Sequence, residues 1–260
     1  MVDLVIFTAT FYKSPSDTRC QMCLRTIELL KGKGISIVIV DDSPDASIRD
    51  LMKSKGANAV QKQQTKGKKG AALREAACLA ATIDGVSEDT WLCWQEPEKF
   101  DMANHWVYAI SGEGSKRADV LNPTRNDDIF KKTYPIEQYH SENFANMYLN
   151  AVARDYCTKH DITFPENLDW HFGPVAFRRR HLNLWAKYDG VTYEAQLNPV
   201  VFAARSGLVV HSTEVPFSGP LEMKAEEEGD VAFIEKRLAQ INDLDPKVKA
   251  AWTGDIPDLS

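Results

Sequence analysis

The sequence has few of the features that mark membrane, secreted or low-complexity proteins. Its 260 residues include only five cysteines, 14 glycines and 12 prolines. An odd number of irregularly spaced cysteines does not fit the disulfide framework of a small secreted protein. The glycine and proline content is too low for a collagen-like or disordered chain. The longest apolar runs, 35–40 and 200–204, are far shorter than the roughly 18 residues of a membrane helix.

An excess of positive charge is also missing. The chain has 31 Lys and Arg against 37 Asp and Glu, which gives a net charge of −6 and a pI of about 5.6. This balance argues against nucleic acid as the main partner. The chain passes from Met1 through Asp3 into an apolar run without a basic segment, so no signal peptide is predicted. These absences, together with the cysteine content, predict a cytoplasmic protein without a transmembrane segment.

The charge that is present is unevenly distributed. Four lysines lie within residues 62–69, and Arg178, Arg179 and Arg180 are consecutive, whereas residues 222–230 are acidic. A local basic segment can bind a small anionic ligand even when the whole chain is acidic. The lysine segment is therefore a candidate site for such a ligand.

Strand-like and helix-like periodicities alternate in the N-terminal half. Short apolar runs rich in β-branched residues predict buried strands, and apolar residues at three- and four-residue intervals predict helices. Their alternation predicts right-handed crossovers and a largely parallel sheet. The predicted strands are 3–8, 35–40, 57–61 and 91–95; the predicted helices are 47–55, 69–83 and one that is capped by Asp17 and ends at Gly32 or Gly34.

The C-terminal half is less regular. Residues 118–122, 173–177 and 208–215 are predicted strands, and 123–139 is the most loop-like stretch. We find no internal repeat and no linker, so one domain with two functional halves is predicted over 1–260. The predicted helices run over 141–160 with Ser141 as cap, from Asn198 and Pro199 to Gly207, and over 230–241.

Polar and charged residues follow each of the first four predicted strands. In an open parallel sheet, ligands bind outside the carboxyl ends of the strands. The segments at those ends, 8–12, 41–45, 62–70 and 96–99, supply hydroxyls, carboxylates and lysines suited to a nucleoside diphosphate and a metal ion. The dinucleotide fingerprint G-x-G-x-x-G is absent after the first strand, and the chain contains no P-loop motif. Hydride transfer and P-loop chemistry are therefore excluded.

Four segments in this order resemble the GT-A glycosyltransferases, above all the large family 2. They are VIFTATF near the N-terminus, IVIVDDSPD over 37–45, KGKKGAALR over 66–74 and Glu96-Pro97-Glu98. The resemblance covers residues 2–99 well and 118–207 loosely. It implies an α/β fold, a three-layer α/β/α sandwich with a mostly parallel Rossmann-like sheet. It also implies a single domain over 1–260 with a nucleotide-binding half (1–100) and an acceptor half (101–260).

The resemblance also implies a nucleotide site. Asp41 or Asp42 would accept hydrogen bonds from the base or ribose of a sugar nucleotide. The alternative is that Asp42 is a turn residue before Pro44 and that the lysines form a solvated loop. The remaining nucleotide-binding candidates are Thr8, Thr10, Lys66, Lys68 and Arg74.

Glu96 and Glu98 stand where such enzymes carry a metal-binding D-x-D motif. Carboxylates two residues apart on an extended segment point to the same side, so this pair would share Mg²⁺ or Mn²⁺. The alternative is that Glu98 pairs with Lys99 or with the basic loop and that no metal binds.

Residues 168–180 resemble the segment that lies under the acceptor and the sugar. Trp170 would stack on a sugar ring, Asp169 and His171 would bind its hydroxyls, and Gly173 would bring the backbone close; the alternative is ordinary core packing. Inverting members carry a catalytic base in an E-D pair before a helix. Here only Glu194 of that pair is present, with Asp169 and Asp189 as rival candidates for the base.

The leading hypothesis is a hexosyltransferase that moves a sugar from a nucleoside diphosphate sugar to a glycan or small-molecule hydroxyl in glycan or polysaccharide assembly. One alternative is a catalytically weakened protein that binds sugar nucleotides or glycans. The other is a nucleotidyltransferase, although the chain lacks its glycine-rich loop. An aromatic region is interpreted as an acceptor lid, a homodimer contact or ordinary packing; its residues are Tyr139, Phe144, Met147 and Tyr148.

Overall fold

The computed structural model describes residues 3–257. Its contacts divide the chain into two compact units. Within the described residues, the first holds residues 3–106 together with Pro174–Gln196, and the second holds Val107–Gly173 and residues 197–257. The predicted single domain with two functional halves stays a prediction.

All seven predicted strands are confirmed, with ends that differ by a few residues. In the first unit β1 pairs in parallel with β2 and β4, β2 pairs in parallel with β3, and β4 pairs antiparallel with β6. In the second unit β5 and β7 are parallel. Mostly parallel strands flanked by helices confirm the predicted α/β class. The strands are β1 (Leu4–Thr10), β2 (Ser36–Asp41), β3 (Ala59–Lys62), β4 (Trp91–Trp94), β5 (Val120–Arg125), β6 (Val175–Arg178) and β7 (Val210–Val215).

The three helices predicted before residue 100 are also confirmed. Asp17 caps α1, because its side chain accepts a hydrogen bond from the backbone N–H of Arg19. Short 3₁₀ helices follow at Phe100–Asn104 and Arg179–His181. The α-helices are α1 (Thr18–Gly32), α2 (Ala46–Lys55), α3 (Lys69–Ala80), α4 (Trp106–Ser111), α5 (Glu113–Arg117), α6 (Asp127–Thr133), α7 (Ile136–His160), α8 (Leu182–Ala186), α9 (Glu194–Arg205), α10 (Leu221–Glu227) and α11 (Val231–Thr253).

Several helix boundaries in the C-terminal half were predicted wrongly. The loop-like stretch 123–139 contains α6, which Asn126 caps by accepting a hydrogen bond from the N–H of Ile129. Helix α7 begins at Ile136, directly after Pro135, so Ser141 is not its cap. Helix α11 continues past residue 241 through Pro246, and its extension is anchored by buried Val248 and Trp252.

Helix α9 begins at Glu194, not at Asn198. The Glu194 carboxylate accepts hydrogen bonds from the N–H groups of Val191 and Thr192, and so orders the chain before the predicted start. Pro199 consequently lies inside the helix. The Asn198-Pro199 pair correctly indicated a helix in this segment. It did not mark the first turn, because the helix starts at Glu194, whose side chain binds the preceding backbone.

The aromatic region 134–148 belongs mainly to α7. Its residues Phe144 and Met147 are 74% and 71% exposed. The homodimer contact suggested for this region stays a prediction. Between residues 3 and 257, no helix combines the length and the apolar character that a membrane crossing requires.

Candidate functional site

The carboxyl ends of β1, β2 and β3 lie level with one another. Thr10 of β1 is in register with Asp41 of β2, which is in register with Lys62 of β3. The residues that follow each strand therefore leave the sheet at one edge. This edge of the first unit carries most of the predicted nucleotide-binding residues.

Asp41 is fully buried and holds the loop after β2 in place. Its Oδ1 accepts hydrogen bonds from the hydroxyls of Thr10 (2.8 Å) and Ser43 (2.6 Å). Its Oδ2 lies 2.8 Å from Nη1 of Arg49. A buried carboxylate with three donors is a structural anchor, and its oxygens are already occupied.

Asp42, the next residue, is exposed. In the part of the chain that the structure describes, no side chain donates a hydrogen bond to its carboxylate. Of the two candidate aspartates, Asp42 is thus the one that can accept hydrogen bonds from a ligand. Thr8 is fully buried, and the hydroxyl of Thr10 donates to Asp41. Both side chains therefore belong to the buried structure that supports this edge of the sheet.

The loop between β3 and α3, residues 63–68, contains Lys66 and Lys68 and is called the lysine loop below. Glu75 of α3 fixes the start of this loop. The Glu75 carboxylate accepts hydrogen bonds from the N–H groups of Gln64 and Thr65. Burial acts to raise the pKa of Glu75, but these backbone donors outweigh it and lower the pKa below its ordinary value. The loop is therefore tied down at its base, while Lys66 and Lys68 remain exposed.

Arg74 does not face this edge as a free cation. Its Nη1 donates to the carbonyl oxygens of Tyr188 and Gly190, each at 2.8 Å. The N–H of Gly70 donates to the carbonyl of Val191 at 3.0 Å. Helix α3 and the loop 188–191 are joined by these bonds. Arg74 therefore positions the loop, and its predicted contact with the nucleotide is not supported by this geometry.

Glu96 binds two ammonium groups. Nζ of Lys69 lies 3.0 Å from Oε1, and Nζ of Lys99 lies 3.1 Å from Oε2. Burial alone would raise the pKa of Glu96, but the charges of Lys99 and Lys69 outweigh it and lower the pKa to about 2. Glu96 is thus a carboxylate whose two oxygens are both engaged with lysines.

These contacts do not fit a resident divalent cation at Glu96 and Glu98. Mg²⁺ and Mn²⁺ need several free oxygen ligands, and both Glu96 oxygens accept from lysines. Burial raises the pKa of Glu98, and the negative charge of Glu96 adds to the effect, which disfavours the ionised form a metal requires. Within residues 3–257, no three His, Cys, Asp or Glu side chains are grouped closely enough to hold one metal ion.

Glu194 is buried and holds the turn that precedes α9. Its Oε1 accepts from the N–H of Val191 at 2.8 Å, and its Oε2 accepts from the hydroxyl of Thr192. Burial opposes ionisation, but these hydrogen bonds outweigh it and lower the pKa of Glu194 to about 2. A carboxylate with so low a pKa takes up a proton poorly at neutral pH, so it does not suit the predicted role of general base.

We expect Glu194→Gln to destabilise the protein at neutral pH, with a difference from wild type that narrows in acid. The pKa of Glu194 is about 2 when folded and about 4.3 when unfolded, so ionisation stabilises the fold above the unfolded value. That contribution is lost as the pH falls toward about 2. Urea denaturation at neutral pH and at acid pH measures it. Glu235→Gln is the control, because Glu235 is exposed in α11. It should have the same small effect on the free energy of unfolding at neutral pH and at acid pH.

Asp169 lies in the second unit, inside a buried ion network. Its Oδ2 is 2.6 Å from Nε of Arg125, and its Oδ1 is 2.8 Å from Nη2 of Arg125. Nη2 of Arg125 also donates to Glu142 at 2.8 Å, and the guanidinium lies 3.5 Å from the ring centroid of Phe130. Burial acts to raise the pKa of Asp169, but the charge of Arg125 outweighs it and lowers the pKa. This pairing leaves Asp169 no free oxygen for a proton from an acceptor.

The neighbouring sugar-binding candidates are part of the same core. Trp170 is 1% exposed, and its Nε1 donates to Oδ1 of Asn150 at 2.9 Å. Nε2 of His171 lies 3.1 Å from Asp245 in α11. Gly173 adopts a φ of 102°, which suits glycine, at the end of this segment. Core packing thus describes Trp170 and His171 better than stacking on a sugar.

Two residues that the sequence analysis did not select are central to this edge. Lys69 is the first residue of α3, and its Nζ lies 3.9 Å from the ring centroid of Tyr193 and 5.4 Å from that of Trp94. The K-G-K-K-G stretch contained Lys69, and residue 69 was the predicted start of a helix, but the contacts of Lys69 with Glu96 and Tyr193 leave no mark in the local sequence. Tyr193 had no signal in the sequence beyond its place next to Glu194.

Comparison with solved structures shows that this fold occurs in other proteins. The chain matches a crystal structure of glucosyl-3-phosphoglycerate synthase from Mycobacterium tuberculosis with a TM-score of 0.57 and 15% identity, over 98% of this chain and 82% of that one. A crystal structure of a mycobacterial protein matches with a TM-score of 0.54 and 15% identity, over 98% and 76%. The chain therefore shares its fold with this synthase, in agreement with the predicted α/β class.

The same synthase has also been solved with ligands. Its complex with Mn²⁺, UDP and glucosyl-3-phosphoglycerate matches with a TM-score of 0.51 and 14% identity, over 93% of this chain and 80% of that one. No protein-family model matches the chain, and neither does any curated protein sequence. At these identities the likeness establishes the fold alone.

Proposed function

We propose that this protein is a glycosyltransferase that moves a hexose from a nucleoside diphosphate sugar to an acceptor hydroxyl in glycan or polysaccharide assembly. The observation that carries the proposal is the shared sheet edge at which exposed Asp42 and the lysine loop leave neighbouring strands. A carboxylate recognises the N–H and O–H donors of a nucleoside, and lysines recognise a diphosphate. The GT-A fold supports this assignment.

Each residue of the edge has a part in the proposal. Asp42 accepts hydrogen bonds from the base or ribose, supported by the buried network around Asp41. Lys66 and Lys68 lie on the loop before α3 and attract the diphosphate, which the N-terminus of that helix also favours. Asp189, exposed in the loop that Arg74 holds, is our candidate for the base that deprotonates the acceptor.

A divalent cation, Mg²⁺ or Mn²⁺, is part of the proposal as a companion of the donor. The complexes of the mycobacterial synthase contain Mn²⁺ with UDP or with UDP-glucose, which supports such a cation beside the diphosphate here. Because Glu96 and Glu98 offer no ready ligand set, we propose that this ion is carried by the diphosphate oxygens. We also propose a cytoplasmic location, with a glycan or small molecule as acceptor.

We expect Asp42→Asn to weaken the binding of a nucleoside diphosphate by about tenfold or more, because a hydrogen bond to a charged group contributes roughly 1.5–3 kcal/mol. Isothermal titration calorimetry with UDP, GDP, CDP and dTDP, in Mn²⁺ and in EDTA, identifies the base and measures the change. Asp50→Asn is the matched control, since Asp50 is an exposed aspartate on α2. It should bind as the wild type does.

Failure of all four nucleotides to bind wild-type protein, with and without Mn²⁺, would remove the basis of the proposal. Equal affinities for wild type and Asp42→Asn would leave a nucleotide site but would assign it to other residues. Release of pyrophosphate from a nucleoside triphosphate and a sugar phosphate would instead favour a nucleotidyltransferase.

A protein that binds sugar nucleotides without turnover is the second candidate. It is favoured by the engagement of both Glu194 and Asp169 in structural contacts. Hydrolysis of UDP-glucose and of sugar nucleotides with the other bases separates the two candidates. Binding without release of nucleoside diphosphate, over a broad panel of donors and acceptors, would identify the binding protein.

A further inference from the structure

Lys69 lies at the centre of a small cage in the first unit. Its Nζ is 3.0 Å from Oε1 of Glu96, 3.9 Å from the ring centroid of Tyr193 and 5.4 Å from that of Trp94. The carboxylate and the two aromatic faces attract an ammonium group from different sides and fix its position. The Lys69 side chain nevertheless keeps 22% of its surface exposed. It is therefore a positioned cation that remains accessible to a ligand.

Among the side chains that form ion pairs in this cage, ammonium groups outnumber carboxylates. Lys69 and Lys99 both contact Glu96, so two ammonium groups share one carboxylate. Lys66 and Lys68 are exposed on the loop that leads directly into Lys69. An anion at this point meets a surplus of cations that the fold has already placed, whereas a divalent cation meets repulsion and two competing ammonium groups.

We infer that Lys69 is a diphosphate-binding residue that provides the fixed positive charge at the Glu96 position, so that a nucleoside diphosphate binds this protein without a divalent cation. The inference rests on the proposed function and goes beyond it, because it assigns the cationic role to a residue of the chain. Glu96, Tyr193 and Trp94 act as positioning residues for Lys69. A divalent ion bound to the diphosphate adds to this charge without being needed for binding.

The test is calorimetric binding of pyrophosphate and of UDP, GDP, CDP and dTDP, each in EDTA and in Mn²⁺. We expect wild-type protein to bind pyrophosphate and at least one nucleotide in EDTA, with an affinity within about threefold of that in Mn²⁺. Lys69→Met should weaken both by about tenfold or more in EDTA, since a charge-assisted contact is lost. Lys69→Arg keeps the charge and should retain most of the affinity.

Lys55→Met is the matched control, because Lys55 forms an ion pair of 2.7 Å with Glu28 elsewhere in the same unit. It should bind like wild type, and circular dichroism checks that each variant is folded. Glu96→Gln distinguishes the two cation hypotheses further. If the inference is right, Glu96→Gln should bind in EDTA as well as or better than wild type, because the lysines lose their competing carboxylate. If Glu96 were instead a metal ligand, the same substitution would abolish Mn²⁺-dependent binding.

Two results would overturn the inference. If a nucleotide binds only in Mn²⁺ and Lys69→Met binds it as wild type does, Lys69 has no such role, while the proposed nucleotide site stands. If neither pyrophosphate nor any of the four nucleotides binds in either condition, the inference and the proposed function both fail.

Discussion

Replacing Arg125 by methionine should lower the free energy of unfolding by about 3–5 kcal/mol, the cost of leaving a buried charge without its partner. Arg125 is 4% exposed and donates to both oxygens of Asp169 and to Glu142. Methionine is apolar and unbranched, but it removes all of these donors and also the guanidinium that lies over the ring of Phe130. Asp169 must then ionise in a buried setting or take up a proton. Chemical denaturation of the full-length chain measures the loss.

The control for this prediction is Lys159→Met, also in the second unit. Lys159 and Asp155 form an ion pair of 2.7 Å in which both side chains are 66% exposed. Solvent screens such a pair, so the change should cost less than about 1 kcal/mol. A loss at Arg125 as small as the loss at Lys159 would contradict the assignment of Asp169 to a structural network. It would also return Asp169 to the candidates for the general base.

The strands were predictable because their signal is local. Runs such as 35–40 are apolar on both faces, which suits a strand covered by helices on both sides, and polar residues end each run. The helix ends in the C-terminal half were less predictable. The start of α9 depends on hydrogen bonds from Val191 and Thr192 to Glu194, and α11 passes Pro246 where Trp252 is buried. These stabilising contacts are tertiary or lie outside the periodic segment, so periodicity alone did not indicate them.

The sequence could predict which segments meet at the candidate site, but not the contacts of each side chain there. The four strand-end segments were found because parallel strands end at one edge. Which carboxylate is free depends on partners that are distant in the chain. Asp169 meets an arginine 44 residues away, and Arg74 meets a carbonyl 114 residues away. Such partners leave no mark in a local motif. The V-D-D motif likewise contained two equal candidates until burial separated Asp41 from Asp42.

Gly70→Ala should destabilise the protein by about 1–3 kcal/mol, although alanine is the better helix former. A Cβ at Gly70 would lie 1.9 Å from the carbonyl oxygen of Gly190 and 3.1 Å from Cβ of Ala195. Because the nearest obstacle is backbone, helix α3 and the loop 188–191 must move apart. That movement would also strain the hydrogen bonds from Arg74 to this loop. Thermal and urea denaturation measure the effect.

Gly32→Ala is the control, and its expected effect on stability is opposite to that of Gly70→Ala. Gly32 is the last residue of α1, and nothing lies within 4 Å of the position its Cβ would take. The helix propensity of alanine should therefore act alone and stabilise the protein by up to about 1 kcal/mol. Because Lys69 precedes Gly70, the Gly70→Ala variant should also bind pyrophosphate more weakly, whereas Gly32→Ala should not. Two stabilising substitutions would show that α3 does not need its close approach to Gly190.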